Sequence, residues 1–162
     1  MTRLVFAGIV RPGVGRQASL LVPGRGALPQ AHADWPDCLY PGSLNVRIGR
    51  YPLESDGHPG IGQVEQLDTG RFAPAFEILR EEFGNNLLHP LPDSPRRGDA
   101  QVWRAEIAVE SDGRTVSCWA LRRFGSAVGQ QLELVADRRL RGEGLRDDDR
   151  VQVSLFGAWR HA

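Results

Sequence analysis

A small, mainly β barrel of about six short strands is the fold this sequence predicts. Three observations carry that expectation. Apolar and polar residues alternate with a period of two in several short runs, only one stretch has convincing helical spacing, and strands do not alternate with long helices as a doubly wound sheet requires. With 162 residues the chain has the length of one ordinary domain, enough to bury a core without disulfides or a metal. A hydrophobic share of 41% and a charged share of 25% are those of a folded globular protein, so disorder is not expected.

The elements follow in order. Arg3 to Val10 is apolar and β-branched enough for a strand, and it runs into Arg11-Pro12-Gly13-Val14-Gly15-Arg16. Pro23 to Pro36 is rich in Gly, Pro and Ala and reads as a loop able to cover a ligand. Leu44, Val46 and Ile48 alternate with Asn45, Arg47 and Gly49, the pattern of a strand with one buried face. Residues 52 to 71 return to loop character. Phe72, Phe76, Leu79 and Phe83 then stand four, three and four apart, which predicts one amphipathic helix ended by Gly84. Pro90, Pro92 and Pro95 make Leu88 to Gly98 an irregular connection. Residues 101 to 109 and 114 to 122 flank Ser111-Asp112-Gly113-Arg114 and predict a hairpin. Gln131 to Ala136 is a further strand and Asp137 to Gly142 a short helical turn. Arg150 to Phe156 is the last strand, entered through the turn Asp147-Asp148-Asp149.

Composition excludes several functions. Every basic side chain other than histidine is arginine, since the chain contains no lysine. P-loop, protein-kinase and Schiff-base chemistries each need a particular lysine and are ruled out together. The formal net charge is zero, which argues against nucleic acid or an anionic membrane as partner and confines any phosphate site to a local cluster. Apolar runs such as Leu4 to Ala7 are far shorter than the roughly 20 residues of a spanning helix, and the N-terminus lacks the ordered regions of a signal peptide, so a cytoplasmic location is expected. Cys38 and Cys118 form no Cys-x-x-Cys pair and read as free thiols. His32, His58, His89 and His161 lack zinc-site spacing.

Candidate chemistry gathers in two places. Ser43 and Asn45 stand two apart, so on an extended strand a hydroxyl and an amide oxygen point to one side and can meet one hard cation such as Mg²⁺. The same residues also suit a plain turn, with the serine capping backbone groups and the asparagine satisfying a strand end. Gly13 and Gly15 permit backbone N–H groups to approach phosphate oxygens, with Arg11 or Arg16 adding charge, although glycine-rich bends after a first strand are most often ordinary turns.

Beyond these local readings, Tyr40-Pro41-Gly42-Ser43-Leu44-Asn45-Val46-Arg47-Ile48 resembles the Pro-Gly-Thr-Leu-Asn-Val segment of the CTP-dependent riboflavin kinases. Leu132-Glu133-Leu134-Val135-Ala136, Leu140-Arg141 and Leu145-Arg146-Asp147-Asp148-Asp149-Arg150-Val151 resemble the C-terminal signature of that family, and Gly8-Ile9-Val10 through Gly13-Val14-Gly15 is similar to its first strand and nucleotide loop. The resemblance implies a six-stranded cradle-loop barrel with one or two short helices, and transfer of the γ-phosphoryl group of CTP to riboflavin. It implies Mg²⁺ held by Ser43 and Asn45, a nucleotide loop at Gly13, Gly15 and Arg16, a flavin contact from Glu133, and a border to the cytidine nucleotide from Arg138, Arg139, Leu140 and Arg141. Trp35, by its loop position, is the tryptophan placed to stack on a flavin ring, whereas Trp103, Trp119 and Trp159 read as core.

Two other readings stand beside this one. Arg16-Gln17 occupies the place where the family continues with glutamate and glycine, which favours a non-catalytic flavin- or nucleotide-binding barrel. Leu145 to Val153 also resembles the swapped-hairpin DNA-binding barrels, against which the zero net charge argues.

Overall fold

A computed structural model describes residues 2–12, 22–40, 43–55, 64–83, 90–125 and 129–160. Among them are nine strands: β1 (Thr2–Arg11), β2 (Leu44–Ile48), β3 (Glu54–Ser55), β4 (Phe72–Ala73), β5 (Phe76–Ile78), β6 (Ala100–Val109), β7 (Thr115–Arg123), β8 (Gln131–Val135) and β9 (Arg150–Trp159). Six of them close a ring in the order β1, β2, β8, β7, β6, β9 and back to β1, with every pairing antiparallel. The protein is therefore a closed six-stranded barrel, and the short β3, β4 and β5 attach outside it to β1, β9 and β6.

Strand alternation decides what each wall buries. Leu4, Phe6 and Val10 of β1 point inward with Val46 of β2, Leu132 and Leu134 of β8, Trp103 and Ile107 of β6, and Val153 and Leu155 of β9. Gly8 shares that inward parity, and a Cβ there would come 2.6 Å from Val46 Cγ1, so only glycine fits this part of the interior. Val64 and Leu67 of a 3₁₀ turn (Val64–Thr69) join the same core, which also takes in Leu140 and Leu145 from the connection between β8 and β9. Arg122 fastens the Val64–Thr69 turn to the barrel end. Its Nε and Nη2 reach both carboxylate oxygens of Asp68 at 2.8 and 3.0 Å, and Nη1 donates to Gly129 O at 2.7 Å. A buried arginine satisfied in this way anchors a turn without stranding a charge.

A second apolar cluster lies on the outside of β6, β7 and β8. It is built from Phe76, Val102, Trp119, Leu121 and Val135 of the strands with Leu28, Trp35 and Phe83 from the connections. Residues 22–40 form a strap across this wall. Trp35, 1% exposed, meets Phe76 and Trp119 edge-on at 5.1 and 5.2 Å, and its Nε1 donates to Pro23 O. Its ring is thus committed to packing, and the expected stacking platform is a buried anchor instead.

The helix expected over residues 72–83 does not form. Phe72–Ala73 and Phe76–Ile78 are short strands, and Arg80–Glu82 is a single 3₁₀ turn. Pro74 is the physical reason: it removes a backbone donor and drives Ala73 to an extended conformation. The apolar residues diverge accordingly, with Phe72 in the barrel core, Phe76 and Phe83 in the outer cluster, and Leu79 exposed. The hairpin is β6 and β7, and the helical turn expected over Asp137 to Gly142 is a 3₁₀ turn at Leu140–Glu143.

Both cysteines are free thiols, Cys38 exposed and Cys118 buried, with burial pushing the Cys118 thiol up to about 12. A chromogenic disulfide reagent added to the native protein is expected to titrate Cys38 alone, with Cys118 reacting only in denaturant. Trp35→Ala is expected to cost about 3–5 kcal/mol of stability in urea unfolding followed by far-UV circular dichroism.

Candidate functional site

The barrel register brings distant candidates side by side. Arg11 at the end of β1 pairs with Asn45 of β2, and Asn45 pairs with Glu133 of β8, whose partner on β7 is Leu121. Cross-strand partners project to the same face, here the outside of the barrel. Asn45 is 2% exposed, and its Oδ1 accepts a hydrogen bond from Gln131 Nε2 at 2.8 Å, leaving a second lone pair on that oxygen. Ser43 lies two residues ahead of Asn45, directly before β2, and among the described residues its buried hydroxyl oxygen has no hydrogen-bond partner. Glu133 Oε2 is likewise buried and unpartnered. Burial pushes the Glu133 carboxyl above the usual carboxylate range, and the nearby Arg123 guanidinium offsets part of that rise.

Arg123 is the residue that sequence reasoning missed. Two positions beyond Leu121 on β7, it is buried, with Nε donating to Gly98 O at 2.9 Å and its guanidinium 4.4 Å from the centre of the Phe83 ring. Its Nη2 has no hydrogen-bond partner. Burial pulls its pKa down and Glu133 raises it again, so each group eases the burial of the other. Leu121-Arg122-Arg123 gave no signal by itself, because only the fold turns Arg122 toward Asp68 and Arg123 toward Glu133.

The candidates of the β8–β9 connection divide. Arg141 Nη2 pairs with Asp147 Oδ1 at 2.6 Å and reaches Arg11 O at 3.3 Å, while Arg11 Nη1 pairs with Asp148 at 3.1 Å. Backbone bonds from Val10 N to Asp149 O and from Asp148 N to Val10 O close the same rim. This connection therefore stands beside the end of β1, where the glycine-rich segment begins. Arg138 is held by Asp137 and Glu143, and Arg139 is exposed. Leu140 is buried in the barrel core, where its side chain holds the turn in place. Gly13, Gly15 and Arg16 lie outside the described residues.

Ser43 Oγ and Asn45 Oδ1 fit a hard cation. They are neutral oxygen donors, one of them orphaned, on a buried patch beside a carboxylate, and Mg²⁺ accepts few protein ligands when phosphates and water supply the others. Among the described residues no group of three or more His, Cys, Asp or Glu side chains is placed to hold a metal by itself. No protein-family model and no curated protein matches the chain.

The sign of the Glu133 effect gives a stability test. Its folded-state pKa lies above the unfolded value, so the fold favours the neutral acid. That stabilisation is present below the unfolded pKa and lost as pH rises through the folded one. Glu133→Gln is expected to melt at a higher temperature than the parent at pH 7.5, with the difference shrinking toward pH 4 in calorimetric scans.

Proposed function

We propose that this protein is a phosphotransferase of the CTP-dependent riboflavin kinase kind, making FMN and CDP from riboflavin and CTP. One observation carries the reading: the barrel register sets Arg11, Asn45 and Glu133 in consecutive strands, beside buried oxygen atoms of Ser43 and Glu133 that have no partner. Orphaned buried polar atoms are costly, and their concentration on one patch marks a place where a polar ligand completes the hydrogen bonding.

In this reading the riboflavin 5′-hydroxyl oxygen bonds to the γ-phosphorus of CTP, the bond from that phosphorus to the β-bridging oxygen breaks, and CDP leaves. Glu133 receives the hydroxyl proton. Its raised pKa makes it a better proton acceptor than an ordinary carboxylate once it is ionised. Arg123 favours the ionised form of that carboxylate through its charge and offers Nη2 to the acceptor substrate. Ser43 and Asn45 would hold Mg²⁺, which neutralises phosphate charge when bound. The remaining demand is positioning, for which a rigid barrel wall is suited and no lysine is needed.

A non-catalytic flavin or nucleotide receptor is the second reading, and a specific observation favours it. Arg11 and Arg141, the cations gathered at the end of β1, are already paired with Asp148 and Asp147. The experiment that separates the readings is incubation with riboflavin, CTP and Mg²⁺, chromatography for FMN, and calorimetric titration of each ligand. The kinase reading expects CTP-dependent FMN that falls by about 100-fold or more in Asn45→Ala, the scale for losing one group that stabilises transition-state charge. Binding without FMN would establish the receptor, and binding of neither ligand would end both readings.

A further inference from the structure

A separate cleft of about 370 Å³ opens on the outer wall over β6 and β7, bounded by Asp34 and Pro36 of the strap and by Asp137 and Arg138 after β8. Its floor is set by register. Arg104 pairs with Trp119 on one side and Phe156 on the other, and two residues further along β6, Glu106 pairs with Ser117 and Ser154. Aromatic rings therefore flank one row and hydroxyls flank the next.

The charges do not cancel evenly. Arg104 is paired with Asp34 and lies 5.2 Å from the centre of the Trp119 ring. Arg138 is held by Asp137 and by Glu143. Both arginines are thus neutralised by carboxylates other than Glu106. Among the described residues the Glu106 side chain has neither an ion pair nor a hydrogen bond, although it is half-buried at the floor of the cleft. Three carboxylates against two arginines line the cleft, and Glu106 is the one left without a counter-charge.

We propose that this cleft binds a small organic cation, an amine or guanidinium compound with an apolar body, with Glu106 as its counter-ion. The Ser117 hydroxyl accepts a further N–H, and the apolar body lies against the edges of Trp119 and Phe156. An anionic ligand has no free cation to meet here, and a bare metal ion would find a single uncommitted carboxylate. The proposal does not rest on the phosphotransfer reading: Ser43, Asn45, Glu133 and Arg123 do not line this cleft, and Arg138, which the resemblance sets beside the nucleotide, enters here only as a cation already held by Asp137 and Glu143.

The test is titration of the ¹⁵N-labelled protein with phenethylamine, with agmatine, and with the neutral 2-phenylethanol. The Trp119 indole signal is assigned through a Trp119→Phe variant. At least one cation is expected to move that signal in a saturable way at millimolar concentration, the range of a single weak ion pair with modest apolar contact, of order 1 mM. The alcohol should not. Glu106→Gln is expected to weaken cation binding by about 10-fold, as loss of one charge-assisted hydrogen bond does, with an unchanged melting temperature. Ser117→Ala should weaken it by a smaller factor. Equal binding of alcohol and amine, unchanged affinity in Glu106→Gln, or no saturable shift with either cation up to about 20 mM would each overturn the proposal.

Discussion

Closure of the ring is the constraint on which the rest of the structure depends. The long seam between β1 and β9, from Thr2↔Gly157 to Ile9↔Arg150, joins the first strand to the last and leaves no freedom to slide either by one residue. A slip of one would turn Leu4, Phe6 and Val10 to the outside and Arg3, Ile9 and Arg11 into the core. Once this parity is fixed, Arg11, Asn45 and Glu133 must share the outer face, and so must Arg104, Glu106 and Ser117. The candidate sites follow from the same registration that packs the interior.

Much of the barrel was legible in the sequence because period-two alternation is a strong local signal. The strand through Leu44, Val46 and Ile48, the β6–β7 hairpin with its Asp-Gly turn, and the strands β8 and β9 all announce themselves in this way. The segment over residues 72–83 misled because its aromatic spacing is helical by coincidence: Phe72 serves the inner core while Phe76 and Phe83 serve the outer one. Spacing records that residues are buried but not against what, and Pro74 was the better guide. Trp35 shows the same limit, since a loop position gave no sign that a second apolar cluster lay waiting beneath it.

The site was legible only in part. Ser43, Asn45 and Glu133 stood out by motif, and the register sets Asn45 and Glu133 side by side. Arg123 could not be found from sequence, because the Leu121-Arg122-Arg123 run reads as a charged strand end. Only alternation on a closed wall sends one guanidinium to tie down a turn and its neighbour to share burial with Glu133. The orphaned atoms of Ser43, Glu133 and Arg123 are equally invisible to a linear reading, since an unsatisfied group is defined by what surrounds it.

The strap over β6 to β8 makes the barrel wall unequal around its circumference. On β7, Cys118 and Ala120 face the inner core while Trp119 and Leu121 face the outer cluster, so from Cys118 onward both sides of the strand are buried, whereas Thr115 and Ser117 before it are exposed. On β9 the outward residues Arg150 and Gln152 are exposed. Substitutions in β7 from Cys118 to Leu121 are therefore interior changes whichever side they fall on, whereas Arg150 and Gln152 at the start of β9 are free to vary in polarity. Mutational tolerance in this protein should map as an angular sector of the barrel and not as a depth, with the sealed sector centred beneath Trp35 and the permissive one around β9.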